Sequence, residues 1–337
     1  MPRVLLLFVD GVGLGEEDAA VNPFLQARLP VLTALAGGRK LTRSAAPVYG
    51  DIASVVGVDA LLGGAGTPQS GTGQASLLTG VNAVAMHGRH FGPWVPARLQ
   101  RMVREESLLA DARAAGYRVA FANAYPEEAL SAAAGRAAPV SPTSAASGTP
   151  SGPPADARAH DRRARRRRRS PSFLRAGPPL AALGAGLLTR HTAALARGEA
   201  VASELVNDGW KEVLGRQDLP DIAASVAGRN LANIAGAHDL TLFAHYATDY
   251  AGHRKRMDDA VAALERLDEF VGGLMEHLPK DSMLFMVSDH GNLEDVRTGH
   301  TRNPALGLVA GQGHALVARR LRALTDVAPI ILDLLAL

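Results

Sequence analysis

The chain has 337 residues and no cysteine. This excludes disulfide bonds and metal sites built on thiolates, and a cytoplasmic location is expected because disulfides are typical of secreted proteins. The sequence also lacks an apolar run close to the roughly 20 residues that a membrane-spanning helix needs. A strand-like stretch starts at Arg3 with no cleavage-site pattern before it, so we expect neither a signal peptide nor a membrane partner.

Basic charge is concentrated in one segment. Residues 158–175 contain nine arginines and one acid, Asp161, which gives this arm a local charge of +8. The whole chain carries +3, so the remaining residues together carry −5. A nucleic-acid-binding domain spreads its basic side chains over a folded face. Nucleic acid is therefore not expected as a partner, and binding of nucleic acid or an acidic protein through this arm is the non-enzymatic alternative.

Strand-like and helix-like stretches alternate over most of the chain, and 47% of the residues are apolar. This rhythm predicts an α/β fold with a mostly parallel sheet sandwiched by helices. The pattern breaks between 126 and 218, so we predict a discontinuous core, 1–125 and 219–337, with 126–218 inserted as a reduced cap. Within it, 132–178 is rich in Ala, Ser, Gly, Pro and Arg. We predict that this stretch is disordered, because it has too little apolar surface to bury.

Polar side chains follow several predicted strands. The apolar run 283–287 is typical of an interior strand and leads directly into a polar cluster. The potential metal ligands are Asp10 after strand 3–9, Asp249 and His253 after strand 240–245, Asp289 and His290 after strand 283–287, and His300 ten residues beyond. In open α/β sheets the chemistry lies just past the carboxyl ends of the strands. Aspartate and histidine suit zinc or manganese, although each residue taken alone could simply cap a turn or satisfy a local hydrogen bond.

A glycine-rich loop that starts at Gly63 leads into a helix of small residues that would begin near Ser70. Backbone N–H groups at such a loop and helix N-terminus favour an anion. Ser70 is either an ordinary N-cap or a nucleophile, and the metal ligands elsewhere favour the nucleophile. The stretch 10–15 follows the pattern G-x-G-x-G instead of the dinucleotide fingerprint G-x-G-x-x-G, and no helix is predicted after it. Binding of a nucleotide cofactor is therefore disfavoured.

Taken in order along the chain, these motifs resemble the alkaline phosphatase superfamily, and within it the cofactor-independent phosphoglycerate mutase and phosphopentomutase branch. The matching motifs are Val9-Asp10-Gly11-x-Gly13, Ser70-x-x-Gly73, Asp249-x-x-Gly252-His253, Asp289-His290-Gly291-Asn292, and His300-Thr301 with Pro304 after it. The resemblance implies an alkaline-phosphatase-like core that holds two divalent ions, Mn or Zn. Asp249, His253 and His300 would hold one ion, and Asp10, Asp289, His290 and the Ser70 oxygen would hold the other.

Two dications about 4 Å apart can stabilise both the attacking and the leaving oxygen of a phosphoryl transfer. A metal-bound Ser70 would lose its proton near neutral pH and form a phosphoserine intermediate. We therefore expect a small phosphate ester as substrate. Hydrolysis of a phosphomonoester is favoured over a phosphomutase reaction, because a mutase needs a lid and much of the candidate lid, 126–218, is predicted to be disordered. Phosphodiester or sulfate-ester hydrolysis is a further alternative.

One position departs from the resembled branch, whose mutases carry a histidine after the motif glycine where this chain has Gln74. Glutamine cannot act there as an acid or a cation. Arg254 and Arg302 lie beside predicted ligands and could clamp phosphate oxygens. The candidate substrate-binding residues are therefore Arg254, Arg302, Asn292 and Gln74.

Overall fold

The computed structural model describes residues 3–131 and 172–336. Within these residues the chain forms one sheet of seven strands: β1 (Arg3–Val9), β2 (Val48–Tyr49), β3 (Ala53–Val58), β4 (Val119–Phe121), β5 (Leu240–His245), β6 (Ser282–Val287) and β7 (Ala305–Ala310). The strand order is β2-β3-β7-β6-β1-β5-β4. The four neighbouring strands β6, β1, β5 and β4 are parallel, whereas the pairs β6–β7, β7–β3 and β3–β2 are antiparallel. The predicted α/β class is confirmed, and the sheet is mixed at one end.

Helices cover both faces of the sheet. In chain order the α-helices are α1 (Pro30–Leu35), α2 (Ser70–Thr79), α3 (Ala83–His87), α4 (Gln100–Glu105), α5 (Leu108–Ala114), α6 (Gly177–Gly184), α7 (Thr192–Ala196), α8 (Asp208–Glu212), α9 (Ala224–Gly236), α10 (Ala247–Arg254), α11 (Met257–His277), α12 (His314–Arg320) and α13 (Val327–Ala336). Helices α2, α4, α5, α6 and α13 pack on one face of the sheet. Helices α1, α9 and α11 pack on the other face.

The central strand β1 shows why both faces are covered. Val4, Leu6 and Phe8 belong to the apolar core on one face, and Leu5, Leu7 and Val9 belong to the core on the other face. Because side chains alternate across a strand, an unbroken apolar run needs a packed layer on each side. The polar residue Asp10 comes where this run ends, so it lies at the carboxyl edge of the sheet.

Helices α9 and α11 pack unusually closely. A Cβ atom at Gly228 of α9 would lie 2.1 Å from the Phe270 carbonyl oxygen, and one at Gly273 of α11 would lie 2.0 Å from the Ser225 carbonyl oxygen. Only glycine permits this backbone approach. Helix α11 also packs against α10, the helix that follows β5.

The structure corrects one boundary of the predicted disordered stretch 132–178. Most of it, 132–171, lies outside the described residues, but Ser172–Arg175 form a 3-10 helix and α6 begins at Gly177. The prediction for 172–178 was wrong because the following segment, which includes Leu180, is buried in the same core as one face of β1. The local composition gives no sign of this tertiary contact.

The predicted insertion 126–218 contributes to the core where the structure describes it. Leu180 lies in the core on one face of the sheet, and Val201 and Leu205 lie in the core on the other face. Val201 also forms an isolated parallel bridge with Asn123, next to β4. The division of the chain into domains stays a prediction. Among the described helices, none combines the length and apolarity that crossing a membrane requires.

Candidate active site

The first group of possible metal ligands, which we term the inner group, comprises Asp10, Asp289 and His290. Asp10 follows β1 and Asp289 follows β6, and these strands are parallel neighbours with Phe8 opposite Val287. Their carboxyl ends therefore bring both carboxylates to one place. One ligand atom from each of the three residues lies within 4.8 Å of the others, and all three residues are buried.

The second group, which we term the outer group, comprises Asp249, His253 and His300. Asp249 and His253 lie one turn apart on α10, and the His253 Nε2 is 3.2 Å from the Asp249 Oδ2. The His300 Nε2 is 3.2 Å from the His253 Nε2 and 3.7 Å from the Asp249 Oδ1. Ligand atoms of Asp249, His290 and His300 also lie within 4.8 Å of one another. His290 therefore stands between the two groups.

The hydrogen bonds of the histidines determine which nitrogen faces the site. The Nδ1 of His290 contacts the Gly291 carbonyl oxygen at 3.2 Å, and the Nδ1 of His300 contacts the Pro68 carbonyl oxygen at 2.9 Å. A carbonyl oxygen only accepts hydrogen bonds, so the proton of each neutral ring lies on Nδ1. The Nε2 lone pairs consequently point toward the ligand groups, as metal-binding histidines require.

The inner carboxylates have oxygen atoms that the described protein atoms leave unsatisfied. Asp10 Oδ1 and Asp289 Oδ2 are buried without a hydrogen-bond partner. The closest histidine atom to Asp10 Oδ1 is the His290 Nε2 at 3.4 Å, which carries no proton in this tautomer. Unpaired buried charges are costly, and a divalent cation would compensate both oxygens. The residues present therefore fit a metal site.

The ionisation of these groups reflects the same crowding. Burial, and after it the charge of Asp249, raises the pKa of Asp289 to about 7. Burial, followed by the charges of Asp289 and Asp249, raises the pKa of Asp10 well above its usual range. Burial lowers the pKa of His290, so the neutral ring that can bind a cation is favoured. Without a cation the inner group resists carrying its full negative charge.

Ser70 lies against the inner group. It is the first residue of α2, and its Oγ is 2.9 Å from the His290 Nε2. Gln69 occupies the N-cap position, so the interpretation of Ser70 as an N-cap is wrong. A Cβ atom at Gly73 would lie 3.0 Å from the Asp289 carbonyl oxygen. The glycine therefore lets α2 approach the loop that carries Asp289 and His290.

Gln74 connects Asp10 to the start of α6. Its Nε2 donates a hydrogen bond to Asp10 Oδ2 at 3.1 Å, and its Oε1 accepts one from the Gly177 N–H at 2.8 Å. Both ends of the amide are thus used. Gln74 orients a carboxylate of the inner group, and its assignment to substrate binding stays a prediction.

The other candidate substrate residues lie in different surroundings. Asn292 is fully buried, and its Nδ2 donates to Asp249 Oδ1 at 2.6 Å, so it orients a ligand of the outer group. Arg254 is exposed and lies 3.6 Å from Asp259. Arg302 is exposed as well and donates to the Gly66 carbonyl oxygen. The structure does not bring either arginine to the cavities that flank Ser70.

The sequence analysis missed Glu294. This buried carboxylate accepts hydrogen bonds from the N–H groups of Gly13 at 3.0 Å and Asn292 at 2.8 Å, and from the side chains of Asn303 at 3.0 Å and Thr301. It therefore connects the loop after β1 to the loops that carry His290 and His300. Its position in the polar stretch after β6 was the only signal, and that signal does not distinguish it from a surface acid.

Two cavities open next to Ser70. One, of about 290 Å³, which we term the aromatic cavity, has walls that include Trp94, Tyr125, Phe173 and Tyr246. The other, of about 570 Å³, which we term the polar groove, is lined mainly by polar residues of the loops around His300, together with Lys255. Ser70, Asp249 and His253 line both. A group bound at Ser70 can therefore extend in two directions.

Comparisons with known proteins agree with this site. Residues 217–337 match the family model described as Metalloenzyme superfamily. The chain is 35% identical over 127 residues to the 2,3-bisphosphoglycerate-independent phosphoglycerate mutase of Desulforudis audaxviator and 34% identical over 128 residues to that of Paracoccus denitrificans. The predicted resemblance to cofactor-independent phosphoglycerate mutases is confirmed over this part of the chain. The matched region 217–337 contains the outer group together with Asp289 and His290.

These matches cover only part of each protein. Each alignment spans 35% of this chain and 25% of the mutase, so the chain spans about a quarter of the length of these curated relatives. The structure of the PH0037 protein from Pyrococcus horikoshii covers 99% of this chain and 97% of its own, with a TM-score of 0.52 and 13% identity. That similarity shows a shared fold over nearly the whole chain.

Proposed function

We propose that this chain is a phosphoryl-transfer enzyme that uses two divalent cations and Ser70 to hydrolyse small phosphate monoesters. The observation that carries the proposal is the 2.9 Å contact between the Ser70 Oγ and the His290 Nε2. It puts an oxygen nucleophile beside His290, a member of the inner group whose ligand atom also lies within 4.8 Å of those of Asp249 and His300.

In this proposal Asp10, Asp289 and His290 hold one cation with the Ser70 oxygen, and the outer group holds the other. When bound, the cations would neutralise phosphate oxygens and lower the pKa of the Ser70 hydroxyl. Manganese and zinc both suit these oxygen and nitrogen ligands. The metal identity and the cytoplasmic location stay predictions.

The residues of the chain then have separate tasks. The Ser70 Oγ, having released its proton to solvent, attacks the phosphorus, a Ser70 O–P bond forms, the bond from phosphorus to the ester oxygen breaks, and the leaving alkoxide takes up a proton from solvent. Water then loses a proton and attacks the phosphoserine, the Ser70 O–P bond breaks, inorganic phosphate leaves, and the Ser70 Oγ is protonated again. The N-terminal N–H groups of α2 favour the phosphate anion, while Gln74 and Asn292 orient the carboxylates of Asp10 and Asp249.

A phosphomutase is the second candidate function, because the curated relatives are phosphoglycerate mutases. In a mutase the phosphoserine passes its phosphoryl group back to a hydroxyl of the bound substrate instead of to water. Gln74 supports hydrolysis, since both ends of its amide are occupied and it supplies neither a proton nor a positive charge for a second transfer.

The test uses the purified chain loaded with manganese or zinc, water labelled with oxygen-18, and a panel of glycerol, glycerate and sugar phosphates. Hydrolysis releases inorganic phosphate with one labelled oxygen, whereas a mutase yields an isomeric ester and no free phosphate. Acid quenching followed by mass spectrometry should find a phosphoryl group on Ser70.

The S70A variant should abolish turnover, and S44A, which removes a hydroxyl from an exposed position, should retain it. A chain that binds neither metal and leaves every ester intact would contradict the proposal.

A further inference from the structure

The aromatic cavity differs from the rest of the site in the chemistry of its walls. The rings of Tyr125 and Phe173 stack with centroids 4.4 Å apart at 19°, and Trp94 and Tyr246 add further aromatic surface. Stacked rings present flat apolar surfaces that favour another ring. The volume of about 290 Å³ is at the small end of the usual range for ligand pockets, which is enough for one ring and not for a large ligand.

The charges around this cavity favour an uncharged group. The described lining residues include Asp10, Asp249 and His253 on the side of the ligand groups and contain no lysine or arginine. The guanidinium of Arg175 lies 5.7 Å from the Trp94 ring centroid. Arg175 is not itself a lining residue. Away from the ligand groups, the described wall offers no lysine or arginine to a carboxylate or a second phosphate, so such a group would be costly to desolvate there.

One polar atom in the wall has no partner. The Tyr246 hydroxyl is buried and makes no hydrogen bond with the described residues. An unsatisfied buried hydroxyl is destabilising, and a polar atom on a bound molecule would remove that cost. The cavity thus provides an apolar slot and one hydrogen-bonding position.

We infer that the aromatic cavity binds the leaving group of the substrate, and that this group is a single uncharged ring with one polar substituent. The substrate class is then an aryl or benzyl-type phosphomonoester, with its phosphate at Ser70 and its ring between Trp94 and Phe173. This inference rests on the proposed function. It separates the chain from enzymes whose substrates are acidic, such as phosphoglycerate.

The first test compares benzyl phosphate with glycerol phosphate and phosphoglycerate on the metal-loaded chain. Benzyl alcohol and glycerol are both aliphatic alcohols. Differences in kcat/KM between their phosphate esters therefore report binding of the leaving group more than its intrinsic reactivity. Burial of the ring should raise kcat/KM for benzyl phosphate at least about tenfold above that for glycerol phosphate. Equal values, or a preference for phosphoglycerate, would overturn the inference and leave the proposed function intact.

Variants of the wall sharpen this test. F173A should remove most of the preference for benzyl phosphate over glycerol phosphate, because the contact with the ring is lost. Y246F should lower kcat/KM for hydroxybenzyl phosphate more than kcat/KM for benzyl phosphate. L316A is the matched control, because Leu316 is exposed and lies on α12. If F173A lowers kcat/KM equally for benzyl, hydroxybenzyl and glycerol phosphate, Phe173 contributes to folding and its role in specificity is overturned.

A binding measurement separates this inference from the proposed reaction. The chain has two tryptophans, so W210F leaves Trp94 as the fluorescent reporter in the cavity wall. With manganese present, benzylphosphonate should quench Trp94 and bind about tenfold more tightly than methylphosphonate. If the chain binds benzylphosphonate in this way but cleaves no ester, the aromatic cavity binds a ring as inferred and the proposed function is rejected. Equal affinity for the two phosphonates, or no binding of either, would overturn the cavity.

Discussion

The inner and outer groups of possible metal ligands are built on different supports. Asp10 and Asp289 directly follow neighbouring parallel strands and are held by the register of the sheet. The outer ligands lie on helix α10 and on the loop before β7, and the side chain of His253 is 52% exposed. The Asp289 side chain, in contrast, is fully buried. If two cations bind as proposed, we expect the inner and outer groups to hold them with unequal strength and to exchange them at unequal rates.

The largest expected effect comes from the inner group. D289N should lower activity by about a thousandfold, a loss typical of removing a group that stabilises transition-state charge, and should reduce the bound metal from two ions to one. D295N is the matched control because Asp295 lies in the same loop and pairs with Arg297. Steady-state kinetics and elemental analysis measure both effects. If D289N stays active and retains two ions, Asp289 is not a metal ligand.

A smaller effect is expected from the outer group. H253A should reduce activity roughly ten- to a hundredfold, because Asp249 and His300 still offer ligands at that position. Excess manganese or zinc should restore part of the activity in H253A but not in D289N. If the two variants lose metal to the same extent and neither is rescued, the proposed asymmetry between the groups is wrong.

Loss of the carboxyl–N–H contacts of Glu294 should affect both groups together. Both oxygens of Glu294 accept from donors, so in E294Q the amide nitrogen faces a donor in either orientation and leaves it unsatisfied at a cost of about 1–3 kcal/mol. The variant should unfold at a lower temperature and bind both cations less tightly, while the preference among esters stays the same. Calorimetry and metal titration test this, with D295N again as control. Weakening of one cation alone would contradict the role of Glu294 as a common support.

Removal of the metal should expose a pH dependence of stability that the inner group confers. The folded-state pKa of Asp289 is raised to about 7, so between about pH 4 and pH 7 the folded chain binds more protons there than the unfolded chain. Its contribution to stability is therefore present at low pH and is lost as the pH rises through 7. In the chelated chain this group should lower Tm by roughly 5 °C from pH 5 to pH 8.

Added manganese should abolish that decline, because a cation stabilises the ionised carboxylates. In the absence of metal, D289N should flatten the fall of Tm with pH, whereas D295N should leave that fall unchanged. Thermal denaturation across this pH range measures the slope. A Tm of the chelated wild-type chain that rises through pH 7 would contradict the crowding of the inner carboxylates.

The sequence predicted the parts of the site that depend on strand periodicity. Asp10 and Asp289 were identified because each ends an apolar run, and parallel strands bring such ends together. Glu294 and the aromatic cavity could not be predicted in this way. Glu294 meets its partners through loops distant in the chain, and Phe173 reaches Tyr125 only because the segment leading into α6 packs on the core. Adjacency in sequence suggested a phosphate contact for Arg254, which lies beside Asp259 in the structure, and its role in substrate binding stays a prediction.

The amide of Gln74 has a consequence for how the site can be controlled. One end holds Asp10, and the other end holds the first N–H of α6, where the chain returns after the arginine-rich arm. A displacement of α6 would therefore turn the Asp10 carboxylate and change the charge presented to a cation. A molecule that binds near the start of α6 could in this way adjust catalysis without entering either cavity.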